Sequence, residues 1–228
     1  DVYKRQIFRH YIRSEDESAI FATFIESIDA TKVGIFYVDD PYGRAAKESL
    51  KKRLRLRRSL SSVDAYPIGL ASKDETKNIS EGVGEFLPKT RGDKKAVTVI
   101  IGYGSMIENM LMSLETPFEF EGEILVVSTF TEEEWRPNLG TFGRNVQFVG
   151  PGTLDDNPAM RGVVFQFSYL TLERALKCRK SRGIEQFSSC WMKEQQKEEG
   201  QVGANWAEVE FTADGDSHVS LRLIEASQ

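Results

Sequence analysis

Only two cysteines, Cys178 and Cys190, and two histidines, His10 and His218, occur among 228 residues. That is too few for a disulfide-built scaffold, and neither pair makes a zinc site by itself. The two thiols either pair once, in an oxidising compartment, or stay buried and reduced. Long apolar runs are also missing. Val97–Ile101 and Ile124–Val127 are typical, against the ~20 residues needed to cross a bilayer, so direct membrane insertion by this stretch is not expected. Positive charge is not in excess: 30 Lys+Arg face 35 Asp+Glu, a net of -5. Nucleic acid is therefore not an expected partner, because a binder needs a dominant basic face to displace counterions. No internal repeat or low-complexity segment occurs, and no Arg/Lys-led apolar segment of the kind that marks a signal peptide opens the chain.

What is present reads as a folded chain. Hydrophobic residues make up 40%, aromatics 11% and charged residues 29%, near globular averages. At roughly 100–200 residues per domain, the length fits one large or two modest domains. Residues 1–6 (Asp-Val-Tyr-Lys-Arg-Gln) look like translated sequencing-adapter read-through and are set aside as a non-native leader; on that reading the natural protein extends further upstream.

The rest shows a strand–helix rhythm. Ser14 with Glu17 forms a capping-box pattern, and Phe21, Phe24, Ile25 and Ile28 share one helical face. Lys32–Val38 is a buried strand. Asp40 as N-cap and Pro41 as first helical residue then predict a helix over 41–57 with an inner stripe of Ala46, Leu50 and Leu54. A strand follows at 62–68, then a helix at 79–87 weakened by Gly82 and Gly84, then a buried strand at 96–103. The next helix buries Ile107, Met110, Leu111 and Leu114 behind a second capping box, Ser105 with Glu108. Strands at 123–129 and 146–149 complete a series that predicts right-handed βαβ units and a parallel sheet covered on both faces. Beyond Gly150-Pro151-Gly152, helices are expected near 164–180 and 184–198. Alternation around Asp214-Gly215-Asp216 predicts a closing hairpin between 206–211 and 219–224.

Catalytic motifs are weak. Gly102-Tyr103-Gly104 occupies the place of a dinucleotide fingerprint, but Ile107 replaces the third glycine and no acidic residue ends the next strand. Ser105 lacks the glycines of a nucleophile elbow. No Walker loop or zinc ligand cluster exists, and Asp214 and Asp216 lack the other ligands of a calcium loop. Glu132, Glu133 and Glu134 read as a solvated helix start. The run Lys51 to Arg58 holds six cations in eight residues; it reads first as a solvated helix face and C-terminus, and second as an anion-binding patch. Asn78-Ile79-Ser80 is a formal glycosylation sequon. No enzymatic chemistry or cofactor is expected.

The run Ile7-Phe8-Arg9, then Lys32–Val38 with Asp39-Asp40-Pro41-Tyr42-Gly43, then Gly102-Tyr103, Val149-Gly150-Pro151-Gly152, Asp156-Asn157-Pro158, and finally Val209-Glu210-Phe211 with Asp214-Gly215-Asp216, resembles type I periplasmic solute-binding proteins of the leucine-binding family. The resemblance implies an α/β fold: a periplasmic-binding-protein type I lobe, a parallel sheet flanked by helices with a C-terminal hairpin, plus helices from an incomplete second lobe. It assigns residues 7–149 and 201–228 to the C-terminal ligand-binding lobe and 150–200 to a remnant of the N-terminal lobe, so the chain is an N-terminally truncated fragment. It also implies a periplasmic or extracellular location and capture of a small polar solute by two-lobe closure. Delivery would be to the permease of an ABC-type transporter, or the same closure would signal through a receptor transmembrane region.

In open parallel sheets ligands sit beyond the carboxyl ends of the strands. Tyr42, Tyr103, Thr129 and Phe130 follow three such ends and are the candidate ligand-binding residues. By resemblance, both tyrosines line the ligand cleft. Thr129 stands near the position where amino-acid binders carry an acidic group for the ligand's ammonium, leaving Glu132, Glu133 or Glu134 to supply that charge. A flavodoxin-like regulatory or nucleotide-binding domain shares the alternating topology and is the alternative of a different class.

Overall fold

The computed structural model describes residues 13–57, 59–69, 72–115, 120–127 and 146–151, with shorter stretches at 172–173, 175–181, 186–187, 189–190, 193–194, 209–211, 217–219 and 221–225. The elements run α1 (Ser14–Ser27), β1 (Lys32–Val38), α2 (Pro41–Leu54), β2 (Ser62–Ile68), α3 (Ser72–Thr90), β3 (Ala96–Ile101), α4 (Gly104–Glu115), β4 (Glu123–Val126) and β5 (Val146–Pro151), then β6 (Val209–Phe211), β7 (Ser217–Val219) and β8 (Leu221–Glu225). The chain divides into two compact units, residues 13–149 with 223–228 and residues 1–12 with 150–222.

The first unit is built on a sheet of order β2-β1-β3-β4-β5-β8. The pairs β1–β2, β1–β3, β3–β4 and β4–β5 are all parallel. β1 and β3 lie inside the sheet and are apolar along nearly their whole length, as strands covered on both faces must be; Val33, Ile35, Phe36, Val38, Val97, Val99 and Ile100 are fully buried. One face packs against α3: Phe36 stacks on Tyr66 at 4.8 Å and meets the ring of Phe86 edge-on at 5.8 Å. A Cβ on Gly34 would come within 2.6 Å of that Phe86 ring, so glycine is what lets α3 lie close to β1. On the other face α2 packs with α1. The predicted stripe of Ala46, Leu50 and Leu54 is buried.

Three expectations need correction. α1 begins one residue too early for a capping box: Arg13, not Ser14, holds the N-cap, with no side-chain cap, its guanidinium instead forking onto Asp16. α4 begins at Gly104, and the Tyr103 carbonyl accepts the first N–H bonds, from Met106 and Ile107; Ser105 is therefore inside the helix. α3 is much longer than 79–87, because a Cβ on Gly82 would sit 3.0 Å from the Phe36 ring and packing outweighs glycine's low helix propensity. The sequon also falls in α3, where the Asn78 side-chain oxygen accepts the Gly69 N–H at 3.0 Å; its amide holds a turn.

In the second unit β6 and β7 pair antiparallel, with Glu210 opposite His218, which is the predicted hairpin. The predicted second hairpin strand is split, however, since β8 leaves β7 to join the edge of the main sheet beside β5. Described residues at 172–173, 175–177, 186–187, 189–190 and 193–194 are helical. Cys178 and Cys190 are disulfide-bonded, their Cα atoms 5.8 Å apart, which resolves the two alternatives open in the sequence.

Candidate functional site

The order β2-β1-β3 means that the chain leaves β1 toward one edge and, after β2, crosses back to continue toward the other. The seam between β1 and β3 is thus a topological switch point, where the connections beyond the carboxyl ends diverge and leave a crevice. Both candidate tyrosines stand there.

At the end of β1 the Asp39 N–H is held by the Ile68 carbonyl of β2. Asp40 turns the chain in extended conformation, and its Oδ1 accepts the Gly43 N–H at 2.8 Å, capping α2 as the sequence predicts. A Cβ on Gly43 would overlap the Val38 carbonyl oxygen, so glycine allows α2 to start directly on the strand end. This places Tyr42 in the first turn of α2, half-buried. One strand over, Gly102 follows the last residue of β3 with the Met106 side chain against its α-carbon, and Tyr103 projects from the start of α4, 41% exposed.

The two rings meet, their centroids 5.6 Å apart and their planes tilted by 33°. Each hydroxyl points at a carboxylate. Tyr103 donates to Asp40 Oδ2 at 3.0 Å, and Tyr42 to Glu17 Oε2 at 3.4 Å. Asp40 therefore links the two strand ends: one oxygen caps α2 and the other holds the tyrosine that opens α4. Glu17 is 2% exposed on the face of α1 that packs toward α2. The result is a partly exposed aromatic surface backed by two carboxylates, suited to an apolar group beside hydrogen-bond donors or a positive charge. Among the described residues no group of three His, Cys, Asp or Glu is arranged to hold a metal.

Of the sequence candidates, the structure brings Tyr42 and Tyr103 together, while Thr129 and Phe130 lie outside the described residues, as do Glu132, Glu133 and Glu134. Sequence reasoning missed Asp40 and Glu17 as members of the site, having read both only as helix caps. For Glu17 a signal was available: it lies four residues before Phe21 and eight before Ile25, on the apolar face of α1, where an unassisted carboxylate would be costly.

Among solved structures the chain superposes on a leucine binding protein from Thermotoga maritima with a TM-score of 0.73 at 15% identity, covering 98% of this chain and 66% of that one. An extracellular ligand-binding receptor from Verminephrobacter eiseniae gives 0.71 at 13% identity, covering 96% and 65%. The fold is that of the type I periplasmic binding proteins. An ABC transporter substrate-binding protein from Desulfitobacterium hafniense gives 0.65 at 14% identity, with 95% and 64% covered. Sheet order alone is shared with flavodoxin-like domains; superposition over nearly the whole chain distinguishes the type I periplasmic-binding-protein fold. The chain spans a little under two thirds of the length of these neighbours. No family model and no curated protein sequence matches it. Among the described residues no helix is long and apolar enough to cross a membrane.

Proposed function

We propose that this protein is an extracytoplasmic binding module for a small polar solute, an amino acid, an amide or a similar compound, and performs no chemistry on it. The observation that carries this reading is the Tyr42–Tyr103 pair at the switch point of a type I periplasmic-binding-protein fold. On this reading residues 7–149 and 201–228 belong to the lobe that presents this surface, and residues 150–200 to a second lobe that closes over it. Closure is driven by contacts that the ligand makes only in the closed state. Thr129 and Phe130, following β4, are proposed to extend the surface.

The Asp40 and Glu17 carboxylates bear on ligand class. The neutral Thr129 leaves an amino-acid ligand without its expected acidic partner, and the two carboxylates behind the tyrosines give this edge the negative potential that an ammonium or amide N–H needs. The Cys178–Cys190 disulfide supports an oxidising, periplasmic or extracellular setting. The neighbours described as ABC substrate-binding proteins support delivery to a membrane permease; those described as extracellular ligand-binding receptors support the second reading, a sensing domain whose closure is the signal.

The test is a thermal-shift screen of the chain, joined to any upstream coding sequence recovered for it, against amino acids, amides and short organic acids. A ligand at a hundredfold excess over its Kd stabilises by about 2.7 kcal/mol, which for a chain of this size raises Tm by about 5–10 °C. Tyr42→Ala and Tyr103→Ala are expected to abolish the shift. A shift indifferent to both substitutions would overturn the assignment.

A further inference from the structure

The pole of the sheet opposite the tyrosines carries a surface that solute binding does not use. Parallel register sets Lys32 of β1 opposite both Ser62 of β2 and Ala96 of β3, so the connections entering β2 and β3 flank the start of β1. At the ~4.8 Å strand spacing they are about 10 Å apart. They are also tied together through Thr31, whose N–H donates to the Lys95 carbonyl and whose carbonyl accepts the Ser61 N–H.

Both connections are cationic. Lys52, at the end of α2, and Arg55, just beyond it, are exposed, as are Arg91, Lys94 and Lys95 before β3, and none of these five makes an ion pair with a described residue. The nearby acids are largely spent: Glu26 is paired with Arg57, and Asp93 takes the Thr31 hydroxyl and the Lys32 ammonium. Glu48, one turn before Lys52 on α2, is paired with Lys47; Asp29, Glu121 and the half-buried Glu123 at the start of β4 remain, too few to cancel the five. In a chain of net charge -5 this concentration of positive charge is local to one pole. Amid it Leu56 stands 88% exposed, the most exposed large apolar residue among those described.

We propose that this pole docks on an anionic phospholipid surface, with the cations over the headgroups and Leu56 inserted between them. Charge complementarity alone would serve a nucleic acid equally; the protruding leucine favours the bilayer, since peripheral attachment uses apolar insertion together with basic attraction. α2 runs 14 residues, about 21 Å at 1.5 Å per residue, from the tyrosine edge to this pole, so docking leaves the solute surface uncovered.

The experiment is co-sedimentation of the full chain with vesicles of phosphatidylcholine alone or mixed with phosphatidylglycerol. Binding is expected only to the anionic vesicles and to weaken as salt is raised. Each cation near such a surface contributes roughly fivefold, so Lys52→Gln/Arg55→Gln/Lys94→Gln should lower partitioning roughly a hundredfold. Leu56→Ser should lower it severalfold at unchanged charge. The control Lys77→Gln, on the exposed side of α3, should bind as wild type. Equal binding to both vesicle types, or a control that loses as much as the triple variant, would overturn the proposal. Retention on a DNA duplex that Leu56→Ser leaves intact, with no vesicle binding, would also overturn it and assign the pole to nucleic acid. All substitutions are at exposed positions, and unchanged circular dichroism melts would establish that the variants fold.

Discussion

Replacing Asp40 with alanine removes two interactions at once, and the structure allows them to be separated. One is the cap on α2, the 2.8 Å bond from the Gly43 N–H; losing such a cap costs about 1 kcal/mol. The other is the 3.0 Å bond from the Tyr103 hydroxyl. Bonds to a charged acceptor contribute roughly 1.5–3 kcal/mol, and with Tyr103 41% exposed water competes, so the lower end, about 1.5 kcal/mol, applies. Asp40→Ala should therefore cost about 2.5 kcal/mol, which is about 5–10 °C in Tm. Asp40→Asn keeps a capping oxygen and a neutral partner for the phenol, and should cost under about 1 kcal/mol. Tyr103→Phe should cost about 1.5 kcal/mol alone and almost nothing in the Asp40→Ala background. Urea titration followed by circular dichroism on the four members of this cycle measures the coupling. If Tyr103→Phe costs the same in both backgrounds, the two strand ends are not linked through Asp40 and the site's architecture is wrong.

Glycine positions should divide by what surrounds them. Gly43→Ala meets the backbone carbonyl of Val38, which cannot step aside, and should lower stability by about 3 kcal/mol, the upper end for overpacking; Gly84→Ala, with nothing near, should raise the unfolding free energy by about 0.5 kcal/mol, read as a higher urea midpoint at unchanged slope. The Tyr66 pKa is raised, mainly by burial and next by the charge of Asp64. Stability from its protonated form is complete below the ordinary phenol value of about 10 and is lost as pH rises through the higher folded value. Wild type should therefore lose stability more steeply than Tyr66→Phe in urea titrations between about pH 9 and 11; parallel curves would refute this. Reducing Cys178–Cys190 opens a short loop, its ends 12 residues apart in sequence, and should cost about 3 kcal/mol; a melt unchanged by dithiothreitol would contradict the pairing.

Much of the sheet unit was legible because its signals are local. Apart from Lys32 and Gly34, Lys32–Val38 is a β-branched and aromatic run, and Asp40-Pro41 is a cap followed by a first-turn proline; strand and helix start both fall where these residues put them. The capping boxes misled for a nonlocal reason. Glu17 has the spacing of a capping residue, yet it is buried beside Tyr42, 25 positions away. Ser105 has the chemistry of a cap, but Tyr103 occupies the helix start. Gly82 lowered the apparent helicity of α3, and only the rings of Phe36 and Tyr66 explain its presence. Tyr42 and Tyr103 were legible as candidates because each follows a buried strand, by four residues and two. Asp40 could not be read as a partner of Tyr103, since the two are 63 residues apart and meet only because β1 and β3 are neighbours, whereas Glu17 is betrayed by its place on the apolar face of α1.

If the tyrosines at the β1/β3 seam seat the ligand, both rings must sense its arrival. Incorporating 3-fluorotyrosine, assigning the resonances by single Tyr→Phe substitutions, and titrating a stabilising solute while recording fluorine NMR tests this most directly. The Tyr42 and Tyr103 resonances should shift together and saturate with the affinity measured by melting, while Tyr66, buried against α3, stays fixed. Saturable binding that leaves both Tyr42 and Tyr103 unmoved would contradict this seating of the ligand.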